Sequence, residues 1–273
     1  MKTKISITGF IVLLTLLLSA CGGSPDKAPA AEPPSDQPKV AQMPTLESAP
    51  AEDAEAAPAE AVSDVDPMEV CAANIALPGE PAYPLLYCED FEVPEGTLMP
   101  IGEYSSKELD ITNDIYKGLY TLRMDVSRST DAWVTTSVHD ARDFVFQVDG
   151  RLASHSGHPY HKWGLMFKKD PDKNLYYYFA IDNNSLYYFM MVRDEKVTNL
   201  INGRKSEEIN PIDEFNTLTV VTEGDKFSFY INGKFQEDFK DNRIQKGDLG
   251  LYFKVSENTI LDWEFDNLVV YAD

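Results

Sequence analysis

From about residue 84 onward, apolar and polar residues alternate in short runs, and no stretch holds apolar residues at helical spacing. Trp163, Leu165 and Phe167 fall on one side of an extended chain, with Gly164, Met166 and Lys168 on the other. Phe227, Phe229 and Ile231 oppose Ser228 and Tyr230, and Leu249, Leu251, Phe253 and Val255 oppose Gly250, Tyr252 and Lys254. A period of two is that of a strand with one buried face. The pattern predicts strands over 85–91, 118–126, 133–138, 144–148, 163–167, 176–181, 186–193, 198–201, 216–222, 226–231, 248–255 and 263–271. Turn residues punctuate them, among them Asp170-Pro171-Asp172-Lys173-Asn174, Asn202-Gly203 and Asn232-Gly233. Two turns join adjacent alternating runs and so predict hairpins. Asp182-Asn183-Asn184 links 176–181 to 186–193, and Glu223-Gly224-Asp225 links 216–222 to 226–231. Short strands with one apolar face each must pack face to face, so the fold expected is all-β, a two-sheet antiparallel β-sandwich.

Composition divides the chain. Residues 69–273 carry 30 aromatics, whereas Gly22 to Met68 carry none and 20 of those 47 residues are Pro or Ala. A core is therefore expected only in 69–273, and 22–68 reads as a disordered, acidic Pro/Ala-rich tether. As a coil it would reach roughly 40 Å, and as a polyproline rod on the order of 140 Å. Ahead of it, Lys2 and Lys4 precede an apolar run from Ile5 to Leu18 that is short for a membrane span and ends in small residues. Leu18-Ser19-Ala20-Cys21 resembles the bacterial lipobox, which implies a cleaved signal peptide over 1–21 and lipid on Cys21. Two or three acyl chains anchor firmly at about 0.8 kcal/mol per buried methylene. Gly22, where enteric bacteria would use Asp for inner-membrane retention, points to an outer-membrane or cell-surface position in the envelope.

An exported protein meets an oxidising compartment, so Cys71 and Cys88, the two cysteines left once Cys21 carries lipid, are expected to pair. Closing that loop contributes about 3 kcal/mol in the chain-entropy model. The net charge of −21 splits into +2 for 1–21, −8 for 22–68 and −15 for the domain. So negative a surface repels phosphate backbones, which excludes nucleic acid as a partner.

Gly164-Leu165-Met166-Phe167-Lys168, Asn174-Leu175-Tyr176-Tyr177-Tyr178-Phe179-Ala180-Ile181 and Phe227-Ser228-Phe229-Tyr230-Ile231-Asn232-Gly233-Lys234 resemble central strands of concanavalin A-like and laminin-G-like jelly rolls. Asp248-Leu249-Gly250-Leu251-Tyr252-Phe253 and Phe265-Asp266-Asn267-Leu268-Val269-Val270 extend the resemblance, which covers about 84–273. It includes domains of the 3-keto-disaccharide hydrolase type. It implies fold more than function, since lectins, carbohydrate-binding modules, glycan hydrolases and protein-binding domains share this architecture.

Candidate chemistry is sparse. A jelly-roll glycosidase needs two carboxylates about 5–5.5 Å apart if retaining and about 6.5–9.5 Å apart if inverting. Glu108-Leu109-Asp110-Ile111-Thr112-Asn113 has Asn where the acid belongs, and Glu264-Phe265-Asp266-Asn267-Leu268 lacks the second Glu. Asp110 is expected to be solvated, and Asp266-Asn267 to be a turn-and-strand feature. All four His lie within 139–161, three in the Gly- and Pro-containing loop His155-Ser156-Gly157-His158-Pro159-Tyr160-His161. Such a loop has no helical face to align ligands, so no metal is expected there. No cofactor is expected, and nothing in the sequence supports a bound Ca²⁺. What remains is aromatic. Tyr176 and Tyr178 share a strand face, Tyr187, Phe189, Met191 and Arg193 share a face of the hairpin partner, and Lys168 lies close in sequence. Sugars stack on such rings while bases and carboxylates take their hydroxyls. Tyr176, Tyr178, Tyr187, Arg193 and Lys168 are the expected ligand contacts. The expected function is non-catalytic glycan binding by a lipid-anchored envelope protein. The alternatives are a hydrolase of the 3-keto-disaccharide type and a structural or protein-binding envelope component.

Overall fold

The computed structural model describes residues 66–92, 97–157 and 160–273; Cys21 and the leader and most of the tether lie outside them. A seven-residue helix, α1 (Pro67–Ala73), comes first. Asp66 caps it by accepting from the Met68 N–H at 2.9 Å, and Pro67 opens its first turn, where a missing N–H is harmless. Seven residues are too few for an apolar stripe to show in the sequence.

Strands follow: β1 (Leu85–Glu89), β2 (Gly102–Ser105), β3 (Leu109–Ile115), β4 (Tyr120–Val126), β5 (Thr130–Thr135), β6 (Phe144–His155), β7 (Lys162–Lys169) and β8 (Leu175–Asp182). The chain continues through β9 (Leu186–Arg193), β10 (Lys196–Lys205), β11 (Asn216–Glu223), β12 (Lys226–Ile231), β13 (Lys234–Lys240), β14 (Asp248–Val255) and β15 (Thr259–Ala272). A nine-stranded sheet runs β13-β12-β11-β6-β15-β4-β3-β2, with β1 paired to the end of β15. A six-stranded sheet runs β10-β9-β8-β7-β14-β5. Pairing is antiparallel throughout, and the two sheets pack face to face as a β-sandwich.

The alternation lands where period two requires. Leu165, Phe167, Phe227, Phe229, Leu251 and Phe253 belong to one buried cluster between the sheets. Rings meet across the gap, Phe179 of β8 on Phe229 of β12 at 4.7 Å and Phe167 of β7 on Phe227 of β12 at 5.8 Å.

Three strands were absent from the pattern. β2 is exposed along its whole length and β13 is charged on both sides, because an edge strand needs no apolar face. β3 buries only Leu109 and Ile111. The Asn232-Gly233 turn, with φ of 50° and 73°, makes a further hairpin from β12 to β13. The expected disulfide joins Cys71 to Cys88, with Cα atoms 6.0 Å apart, and ties α1 to β1 over Val269.

Candidate functional site

One face of the six-stranded sheet packs the core. On its other face the register sets side chains in rows. Asp131, Lys254, Lys162 and Asp182 stand side by side on β5, β14, β7 and β8. The next row is Trp133, Tyr252, Gly164, Ala180 and Tyr188, and the next Thr135, Gly250, Met166, Tyr178 and Met190. Tyr176 and Val192 begin a fourth. A Cβ at Gly164 would lie 2.0 Å from the Phe179 carbonyl oxygen, so only glycine fits beside Ala180.

The rings hold one another in place. Tyr178 stacks on Tyr252 at 3.9 Å and 10°, and Trp133 tilts against Tyr176 at 5.8 Å. Tyr252 and Lys254 both donate to Asp131 Oδ1, at 2.9 and 3.0 Å, and Tyr188 donates to Asp182 Oδ2 at 2.9 Å. Lys162 Nζ sits 3.3 Å from the centre of the Tyr188 ring, a cation–π contact. Burial pushes the Lys162 ammonium down to about 8; Asp182 opposes that shift and Lys254 adds to it. Tyr176, Tyr178 and Tyr252 are buried, and burial raises each phenol. The exposed rings are Trp133 on β5 (40 % exposed) and Tyr160 (43 %), the latter 5.8 Å from Lys162 Nζ.

Of the contacts expected from sequence, Tyr176 and Tyr178 lie on this face, and Arg193 is exposed at the end of β9. Tyr187 and Lys168 do not belong to it. Tyr178 pairs with Met190 and Tyr176 with Val192, so Tyr187, Phe189 and Met191 point the opposite way, into the core. The Tyr187 hydroxyl donates to Glu237 at 3.0 Å. Lys168 has a φ of 52° beside a register shift between β7 and β14, the mark of a bulge. Its side chain turns inward, Nζ 5.1 Å from the Phe227 ring, where burial lowers its ammonium pKa.

Sequence reasoning missed Trp133, Tyr188, Tyr252, Lys162, Lys254, Asp131 and Asp182. For Tyr252 and Lys254 the signal was present, since both oppose Leu251 and Phe253 in the alternation.

The other titratable groups lie elsewhere. Asp110 is exposed on β3 and accepts from the Ser105 hydroxyl. Asp266 faces Asp149 across β15 and β6, and burial, reinforced by the Asp149 charge, raises it to about 6. Asn267, at φ 51°, bulges there and donates to Asp149 at 2.9 Å. His155 ends β6 in solvent, whereas His161 is buried edge-on to Trp263 at 5.2 Å and burial lowers it to about 4. His158 is outside the described residues. Among the described residues no group of three His, Cys, Asp or Glu is placed to hold a metal ion.

No family model matches the chain, and no curated protein matches it in sequence. Solved structures do resemble it. Carbohydrate-binding module CBM66 from Bacillus subtilis is 21 % identical with a TM-score of 0.46, over 55 % of this chain and 86 % of that one. The β-glucanase of Bacillus licheniformis is 13 % identical with a TM-score of 0.48, over 70 % and 99 %. The κ-carrageenase of Pseudoalteromonas carrageenovora is 12 % identical with a TM-score of 0.48, over 73 % and 98 %.

Proposed function

We propose that this protein binds glycan, without cleaving it, on the outer face of its six-stranded sheet, and that a lipid on Cys21 holds it at the bacterial envelope. The observation that carries the binding reading is the juxtaposition on that face. The exposed ring of Trp133, backed by the buried rings of Tyr176, Tyr178 and Tyr252, adjoins a polar row of two lysines and two aspartates. Apolar sugar faces pack on an exposed ring, while the accessible end of the row, the Lys254–Asp131 ion pair, supplies donors and acceptors for hydroxyls. Asp131 and Asp182 already accept bonds from Tyr252, Lys254 and Tyr188, which suits them to hold position rather than to shuttle protons. The anchor rests on the lipobox and on a Pro/Ala-rich tether long enough to lift the domain off a membrane.

Glycan-array binding by the purified protein, with sugar release assayed on every hit, tests the first part. Binding without release is expected. Release that disappears in Asp131→Asn or Asp182→Asn would replace the binding reading with a hydrolase. For the anchor, Cys21→Ser should abolish palmitate labelling and move the protein to the soluble fraction; label retained in that variant refutes it.

A further inference from the structure

The two open edges of the sandwich end differently. At one, β13 is clasped to the six-stranded sheet, with Glu237 accepting from Tyr187 at 3.0 Å and from Arg204 at 2.5 Å. At the other, where the β2–β3 hairpin faces β5, a cavity of about 470 Å³ stays open. That is within the range of ligand pockets, about 300–1,000 Å³. All six residues of β5 border it, Leu109 and Ile111 give it an apolar side, and Tyr104 and Trp133 offer exposed rings. Asn113 Oδ1 is buried on its wall with no hydrogen-bond partner. A buried acceptor left unpaired is costly, and a ligand hydroxyl would satisfy it.

A second cavity of about 470 Å³, beside Gln147, Asp149, Asn232 and Asn267, has no such capacity. Its amides already donate to the Ala76 carbonyl, the Glu208 carbonyl and Asp149.

We infer that the edge cavity is a second subsite of the glycan site, reached around β5 past Trp133, and that it takes a neutral or amino sugar rather than an acidic one. This rests on the glycan-binding reading above. Trp133 belongs to both places, bordering the cavity while its ring lies 5.8 Å from Tyr176 on the sheet face. The ionisable groups on the cavity wall, Tyr104 aside, are Glu108 and Asp131, both acidic. A uronate or sulfate would meet Glu108, which has no ion-pair partner among the described residues, on a domain of net charge −15. A sugar carrying hydroxyls or an ammonium group meets acceptors instead. A chain lying on the sheet face can then turn the edge and gain contacts as it lengthens.

The test is calorimetric titration of the full exported protein with gluco-, manno- and galacto-oligosaccharides, from disaccharides upward, and with their amino and uronate counterparts. Affinity for the neutral series should rise with chain length. Tyr104→Ala, at a side chain 61 % exposed and so safe for folding, should remove that rise, a loss on the order of three- to ten-fold for the longest oligomers. Glu108→Gln should narrow the gap between neutral and uronate oligomers. The same rise with length in Tyr104→Ala, or uronates bound as well as neutral sugars by the wild type, overturns the subsite while leaving the sheet-face site standing. If no oligomer in any series binds the wild type, the glycan reading itself falls and the subsite with it.

Discussion

Trp133→Ala is the most direct test of the sheet face. The ring stands on an edge strand and is 40 % exposed, so it can meet a ligand without unfolding anything. A Trp side chain presents roughly 150–250 Å², of which the exposed share is about 80 Å². A sugar covering all of it would gain about 2 kcal/mol at about 25 cal/mol/Å², and partial cover about half that. Ring-specific stacking adds about 0.5–1.5 kcal/mol. The expected loss on truncation is therefore about 1.5–3.5 kcal/mol, or roughly ten- to 400-fold in Kd.

Folding should suffer less. The ring gives up its contact with Tyr176 at 5.8 Å and with Lys169 Nζ at 5.9 Å, which places the stability cost at about 1–2 kcal/mol. Trp133→Phe should keep most of the affinity. Phe235→Ala removes a ring that is 54 % exposed on β13, at the opposite edge, and should change nothing in binding. Affinity electrophoresis in polysaccharide gels gives the ranking, calorimetry the Kd, and thermal melts confirm the fold. A folded Trp133→Ala protein that binds like the wild type would refute the assignment of this face.

Three further expectations concern stability. Tyr178→Ala, at a ring 2 % exposed and stacked on Tyr252, should open a cavity worth about 3–5 kcal/mol and lower Tm by roughly 10 °C, whereas Tyr178→Phe loses only the hydroxyl contacts with Met190 and Tyr252. A Tyr178→Ala melt within a few degrees of wild type would contradict the enclosed position of the ring. Reducing Cys71–Cys88 should cost about 3 kcal/mol in denaturant titrations, and an unchanged midpoint would show that α1 is held by packing alone. Asp266 binds its proton more tightly when folded, at about 6 against 3.8, so its contribution is full below the unfolded value and is lost as pH rises through about 6. Asp266→Asn should therefore stabilise by about 1–2 kcal/mol near pH 7 and by little near pH 4, and an equal effect at both would exclude titration as the cause.

The sandwich was legible because period two needs no tertiary information. Once Leu165, Phe167, Phe227 and Phe229 alternate with polar neighbours, two sheets facing each other are the arrangement that buries them all. The edge strands were not legible: Gly102–Ser105 has no apolar face, and in Lys234–Lys240 a register shift sets Phe235 and Phe239 on opposite sides, so that only Phe239 packs on the core. The site was half legible. Tyr176 and Tyr178 could be read as sharing a face, but which side of β9 met them depends on the register across the Asp182 turn. Asp182 Oδ1 accepts from Asn184 and Leu186 there, and the turn sets Tyr178 against Met190. Had the loop been one residue longer or shorter, Tyr187 would have joined the rings instead. Trp133 and Tyr252 come from strands far apart in sequence and become neighbours of Tyr176 and Tyr178 through the β14–β7–β8 pairing.

Lys168 shows how one inserted residue changes the chemistry of the face. Along an unbroken β7, Lys162, Gly164, Met166 and Lys168 would all face outward. The bulge at Lys168 reverses the order at the end of the strand: Lys168 turns in over Phe227, and Lys169 brings its ammonium 5.9 Å from the Trp133 ring. The sheet face thus keeps a base next to its exposed ring, one position later than the alternation implies. The two lysines should respond oppositely to substitution. Lys168→Met replaces a buried ammonium, already pushed toward neutrality, with an apolar chain of similar length. Stability should hold or rise by about 1–2 kcal/mol, with binding unchanged. Lys169→Met removes a cation within reach of a sugar stacked on Trp133 and should weaken binding several-fold, on the order of 1 kcal/mol, while lowering the melt only slightly through its lost contacts with Trp133 and the Asp170 carbonyl. Denaturant titration and calorimetry on the two variants decide the matter. Weakened binding in Lys168→Met with Lys169→Met unaffected would mean that β7 runs straight in solution and that the bulge does not set the site.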